Sequence, residues 1–185
     1  MNKHSDIEDI LISSDEIREK VKELGGRISA DYAGKRPVFV GILKGCVVFL
    51  SDLLKNISID CSVDFICLSS YSGTKSTGVV RTLLDLRESI EGKDVVIVED
   101  IVDSGLTLSY LLENFKTRRP LSLEICSLLD KAECRKVPIR VKYSGFVVPN
   151  KFVVGYGLDH NEIYRNLPYV GVLRGSALDK KETGT

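Results

Sequence analysis

The sequence predicts an α/β protein: a doubly wound, mostly parallel twisted sheet flanked by helices. Three observations carry this. Short apolar runs carrying Val and Ile recur at 37–43 and 95–98, as expected of strands buried on both faces, and a further strand-like stretch covers 121–129. Helical stretches alternate with them, the order that builds parallel sheets by crossover connections. Polar, glycine-containing turns follow the first two runs, at the carboxyl rim where open sheets of this class hold their ligands.

At 185 residues the chain is one domain, long enough for a sizeable core. The expected layout is a single domain over 1–175, with a core at about 35–130 and a small hood lobe from about 1–15 and 131–175. A polar tail follows at 176–185. Twenty-six basic and twenty-six acidic residues cancel, which argues against a general nucleic-acid binder. A local cluster of cations remains compatible with a phosphate ligand. The five cysteines are odd in number and form no CxxC pair. They read as reduced, mostly buried thiols of a cytoplasmic protein rather than a zinc or redox site. The opening residues lack an apolar signal core, and no apolar run reaches membrane-spanning length. Neither nucleic acid nor membrane is therefore an expected partner.

Taken in order, residues 1–12 form a polar arm ending in Ile10-Leu11-Ile12, read as a short edge strand. Ser13 and Glu16 fit a capping box, and Ile12 with Ile17 a hydrophobic staple, so a helix starts here. Ile17, Val21, Leu24 and Ile28 give it one apolar stripe; Gly25-Gly26 weakens it without ending it. A strand at 37–43 precedes Lys44-Gly45, and Val47, Val48, Leu50, Leu53 and Leu54 make a second helix. Lys44 is either a surface charge in a strand–helix loop or a group on the ligand rim. Residues 57–68 read as a strand. The polar stretch 69–78 is either a plain connection or a flap that closes over a phosphorylated ligand, and 79–86 resumes the apolar pattern. A turn at Glu91-Gly92 leads to the strand at 95–98, ended by Glu99-Asp100, and a helix at 108–115. Strands follow at 121–129, 136–143 (an edge), 152–158 and 170–173.

The stretch Val95 to Leu108 organises the rest. It joins an apolar strand, three carboxylates and a tight turn feeding a helix N-terminus, where free backbone N–H groups favour an anion. Glu99 and Asp100 either face solvent, accept from vicinal ribose hydroxyls, or serve Mg²⁺ as hard oxygen ligands. Asp103 either acts on a bound base or simply caps the helix. Ser104-Gly105-Leu106-Thr107 offers backbone N–H groups and two hydroxyls to a monophosphate. No GxxxxGK[ST] or GxGxxG pattern is present, nor an HExxH, which lowers the case for a P-loop enzyme, a nicotinamide dehydrogenase or histidine-based zinc hydrolysis.

Residues 96–107 resemble the phosphoribosyl-diphosphate signature of the type I phosphoribosyltransferases, and more narrowly of the bacterial hypoxanthine-guanine branch. Leu43-Lys44-Gly45, Ser70-Tyr71, Leu128-Leu129-Asp130-Lys131, the run Phe152 to Asp159, and Tyr164-Arg165-Asn166-Leu167-Pro168 support it in order. The resemblance spans about residues 7–174. It implies that Glu99 and Asp100 hold the ribose hydroxyls with Mg²⁺ close by, that Asp103 is the proton partner at purine N7, and that Ser104, Gly105, Leu106 and Thr107 hold the 5′-phosphate. It implies further that Lys131 donates to O6, Phe152 stacks on the purine, the Val153 backbone contacts its edge, and Asp159 lies near a second Mg²⁺. Lys44, Gly45 and Arg165 would contact pyrophosphate, the Leu43–Lys44 peptide would be cis, and Ser70 and Tyr71 with the following flap would close over the site. Two departures stand out. His160 replaces the aromatic residue commoner after this aspartate, and Leu106 replaces a lysine found in some relatives.

The implied reaction is purine salvage. Hypoxanthine or guanine takes the phosphoribosyl group of 5-phosphoribosyl 1-diphosphate, giving IMP or GMP and pyrophosphate, with Mg²⁺ as cofactor and a homodimer or homotetramer as the assembly. The rivals are a sister enzyme preferring xanthine, and a regulator that binds nucleotide or RNA without turnover.

Overall fold

The computed structural model describes residues 3–70 and 80–178. The elements begin with β1 (Ile7–Ile12), α1 (Ser14–Asp31), β2 (Val38–Leu43), α2 (Val47–Leu54), β3 (Ser62–Ser70) and β4 (Val80–Leu84). They continue with β5 (Asp94–Val102), α3 (Leu106–Thr117), β6 (Ser122–Asp130), a 3-10 turn (Ala132–Cys134) and β7 (Tyr143–Val147). The last are β8 (Val153–Val154), β9 (Val170–Leu173) and the single turn α4 (Gly175–Leu178). A six-stranded sheet runs in the order β4-β3-β2-β5-β6-β7. Its pairs are parallel except β3 with β4. A separate three-stranded antiparallel sheet, β1-β9-β8, brings the first strand against the last.

Strand alternation explains how one sheet serves two helical layers. Phe39, Val96, Val98, Cys126 and Leu128 pack in one cluster with the α1 stripe and with Phe49, Leu50 and Leu53 of α2. Val38, Val40, Val95, Ile97 and Ile125 pack on the other side with Leu108, Leu111 and Phe115 of α3. Helices therefore cover both faces, as the apolar runs require. The α1 start is the one the sequence announces: the Ser13 hydroxyl accepts from Glu16 N–H, and the Glu16 carboxylate accepts from Ser13 N–H. The helix runs through Gly25, whose missing Cβ lets the Asn56 carbonyl approach to 2.5 Å of where that carbon would stand.

Several expected boundaries move. The acidic pair does not end β5, which continues to Val102 and pairs Glu99 with Ser127 and Ile101 with Leu129. Backbone hydrogen bonds to the neighbouring strand hold the chain extended whatever the side chains are. The third strand starts at Ser62, not at residue 57; Ile57, Ile59 and Cys61 pack against the core from a loop. Helix α3 begins at Leu106, two residues before the apolar pattern. Residues 136–142 form no strand, and the strand in this region is β7 from Tyr143. Of 152–158 only Val153–Val154 is a strand; the backbone turns left-handed at Gly155, Tyr156 and Gly157 and leaves the ladder. The 69–78 segment falls mostly outside the described residues, Tyr71 included, and Ser69 and Ser70 close β3.

Candidate active site

Alternation along β5 decides where the acidic pair points. Asp100 shares parity with Val96 and Val98 and is buried on the α2 side. There it meets the loop after β2: a Cβ on Gly45 would fall 1.8 Å from Asp100 Oδ2. Only glycine admits that approach. Gly157 repeats the device one layer further, its backbone resting on the Gly45 carbonyl. The peptide Leu43–Lys44, just before this contact, is cis. Burial is the main cause of a raised Asp100 carboxyl, pushed up to about 6, partly offset by the Ile101 N–H and by Arg165. Glu99 lies on the other parity and lines one concave surface with Asp103, Ser104, Gly105 and Thr107. Its carboxyl is raised well above the usual range by burial and then by Asp100. Glu99 Oε2 is buried with no hydrogen-bond partner.

The turn after β5 is built from behind. Arg135 donates to the Asp103 carbonyl at 2.7 Å and to Asp130 Oδ1 at 2.6 Å. Lys136 N–H donates to the Ser104 carbonyl at 3.0 Å. In a trans peptide the C=O and N–H point oppositely. Tying these two carbonyls backward thus turns the N–H groups of Ser104 and Gly105 toward the other side, an anion-ready nest. Gly105 takes φ +80 at the α3 cap, against Val137 and Ile139. The Leu106 side chain is half exposed, so the turn presents backbone and hydroxyls rather than a cation. Lys131, nearly buried at the end of β6, places Nζ 3.5 Å from Asp103 Oδ2.

The remaining residues come from the loops around β8. Phe152 is 45% exposed, high for an aromatic ring, and the His160 ring stands edge-on to it at 5.2 Å. Val153 is buried and paired with Val172. Arg165 donates to the Gly157 carbonyl at 2.8 Å and pairs with Asp159 Oδ1 at 2.8 Å. Glu162 bridges Arg165 and Lys44. The structure thus gathers Lys44, Gly45, Asp100, Asp159 and Arg165 into one group, and Glu99, Asp103, Ser104, Gly105, Thr107 and Lys131 into the adjoining one. Ser70 is the last residue of β3, and Tyr71 is outside the described residues.

Among the described residues no group of three or more His, Cys, Asp or Glu is assembled to hold a metal by itself. The donors fit a divalent ion in another way. An orphaned Glu99 oxygen and a carboxyl at Asp100 raised by burial are both relieved by a nearby hard cation. Such an ion would draw its remaining ligands from water and substrate.

Arg135 and Glu162 are the site residues that sequence reasoning missed. Arg135 stands just before the stretch 136–143 that reads as an edge strand, and only its charge, four residues beyond Lys131, marks it in the sequence. Glu162 lay beside the motif Asp159, with only its charge to mark it.

A phosphoribosyl transferase domain model matches residues 9–161. The chain is 53% identical over 172 residues to the bifunctional protein TilS/HprT of Listeria innocua, covering 92% of this chain but only 26% of that relative's length. It is 51% identical over 175 residues to the hypoxanthine-guanine phosphoribosyltransferase of Bacillus subtilis, covering 94% of this chain and 97% of the relative. The crystal structure of a hypoxanthine phosphoribosyltransferase from Staphylococcus aureus superposes with a TM-score of 0.93 at 48% identity, over 97% of this chain and 100% of that one.

Proposed function

The chain belongs to the phosphoribosyltransferase family, and from that premise we propose that it is a purine-salvage enzyme. It transfers the 5-phosphoribosyl group from 5-phosphoribosyl 1-diphosphate to hypoxanthine or guanine, giving IMP or GMP and pyrophosphate. The observation that carries the acceptor class is the pairing of Lys131 Nζ with Asp103 Oδ2 at 3.5 Å. A donor and an acceptor stand side by side, matching O6 and a protonated N7 on one edge of a 6-oxopurine. Adenine would set its amino group against the ammonium, and a buried donor facing a donor is costly.

In this reading the nest at Ser104 to Thr107 holds the 5′-phosphate, and Glu99 and Asp100 take the ribose hydroxyls. Phe152 stacks on the purine, with the Val153 backbone at its edge. N9 of the base bonds to C1′ as the C1′–oxygen bond to pyrophosphate breaks, and the N7 proton passes to the Asp103 carboxylate. Lys44, the Gly45 backbone and Arg165 take the departing pyrophosphate. Glu99, Asp100 and Asp159 would hold Mg²⁺, which when bound neutralises the charge developing on the leaving group. We place the enzyme in the cytoplasm as a homodimer or homotetramer. Among the described residues no helix is long and apolar enough to cross a membrane.

The test is pyrophosphate release by the purified protein with Mg²⁺ and the sugar diphosphate. Release should require hypoxanthine or guanine and fail with adenine. Silence with hypoxanthine, guanine and xanthine alike would overturn the enzyme reading.

A further inference from the structure

Glu162 has no role in the reaction outlined above, yet it sits between the two cations assigned to the leaving group. Its Oε1 lies 3.1 Å from Lys44 Nζ and its Oε2 lies 3.3 Å from Arg165 Nη2. The two cations come from distant parts of the chain, Lys44 from the loop after β2 and Arg165 from the loop after β8. One carboxylate spans them as two oxygens of a phosphate would.

The turn that carries Glu162 is built to present it. Asn161, Glu162 and Tyr164 all have left-handed backbones, with φ of 51, 60 and 79, a region that side chains other than glycine rarely adopt. The Glu162 N–H donates to Asp159 Oδ2 at 2.9 Å. Reciprocal backbone bonds between His160 and Ile163 close the turn. Arg165 is fixed in its turn by the Gly157 carbonyl and by Asp159. The Lys44–Glu162 contact, in contrast, is open to water: the side chains keep 64% and 58% of their surface. Exposed pairs of this kind contribute little net free energy. A ligand carrying several negative charges displaces such a carboxylate readily.

We propose that Glu162 is a placeholder for pyrophosphate, holding Lys44 and Arg165 together while the site is empty and competing with the diphosphate for them. The inference rests on the reading of Lys44 and Arg165 as pyrophosphate contacts. It gives the leaving group a route out. As pyrophosphate departs, the carboxylate reclaims both cations, so the product is held less tightly than the two positive charges alone would hold it.

The test is calorimetric binding of inorganic pyrophosphate with Mg²⁺ to the full chain and to three variants: Glu162→Gln, Lys44→Met and the double variant. Glutamine is isosteric and the position is exposed, so the fold is retained. Glu162→Gln should bind pyrophosphate about three- to tenfold more tightly. Lys44→Met should bind it more weakly, and in its background the gain from Glu162→Gln should shrink, because the two effects share one contact. Unchanged or weaker binding by Glu162→Gln, with Lys44→Met weakened, overturns the placeholder and leaves the site reading intact. Unchanged binding by Lys44→Met removes the site reading, and the placeholder falls with it.

Discussion

Lys131 Nζ stands 3.5 Å from Asp103 Oδ2, and the partners differ in exposure: the lysine side chain keeps 9% of its surface and the aspartate 55%. The lysine is thus fixed in the wall at the end of β6, while the carboxylate opens to the cleft. A fixed ammonium acts as a selectivity element because an incoming base must adapt to it. Replacing Lys131 with methionine should lower kcat/KM for hypoxanthine by about 10²-fold or more and lower that for adenine far less. Parallel kinetics with the two bases measure the ratio, and an unchanged ratio removes Lys131 from base recognition.

Arg135 holds the back of the phosphate turn through the Asp103 carbonyl and the Asp130 carboxylate. Arg135→Met should raise KM for the sugar diphosphate about ten- to a hundredfold through misplacement of the turn. It should also cost about 1–3 kcal/mol of stability, because Asp130 loses its partner while largely buried. Adding Asp130→Asn should recover the melting temperature and leave KM high. Recovery of both would make Arg135 a stability residue alone.

Gly45 and Asp100 share space that only one side chain can use. A Cβ at residue 45 would lie 1.8 Å from Asp100 Oδ2, so Gly45→Ala must turn the carboxylate away. Turnover should fall on the order of 10²-fold. In an Asp100→Ala background the same substitution should add little further loss, since the collision is gone. Two independent, additive losses would show that Gly45 does not act through Asp100.

Burial of Asp100 contributes a pH dependence to the metal-free protein. The Asp100 carboxyl moves from 3.8 up to about 6, mainly through burial. The folded state therefore binds this proton more tightly than the unfolded chain. The associated stability is fully present below about pH 4 and is lost as pH rises through about 6, on the order of 3 kcal/mol in all. With a chelator present, Asp100→Asn should gain melting temperature relative to the parent as pH is raised from 4.5 to 7.5. A constant difference across that range would contradict the burial argument.

Local chemistry was the part most legible in the sequence. The Ser13–Glu16 capping box and the α1 stripe depend on residues within a few turns of one another, and both are in place. Runs of Val and Ile mark the buried strands β2 and β5, whereas β6 carries one β-branched residue, Ile125, and is marked by its leucines. The misread segments depend on partners far along the chain. Residues 136–142 carry mixed polarity and back the turn at 104–105 through the Lys136 N–H and the Val137 and Ile139 side chains, not through a ladder. The run at 152–158 is apolar enough for a strand, but close packing of Gly157 on the Gly45 carbonyl bends it away. The acidic pair was legible as chemistry and not as geometry. Its split across the two faces of β5 follows only once the strand is seen to continue past it.

The pairing of β1 with β9 sets an order of events during synthesis. Ile7 opposes Leu173, and the Arg174 N–H donates to the Asp6 carbonyl. Strand β1 thus waits until β9, at Val170–Leu173, has been translated before it can pair. Contacts this distant in sequence are the slow ones to form. Strands β2, β3, β5 and β6, with the turn at 103–107, are already translated by then. A nascent chain can therefore complete its sugar-phosphate half while Phe152 and Val153, framed by β9, still lack their support. The acceptor half of the site matures after the sugar-phosphate half.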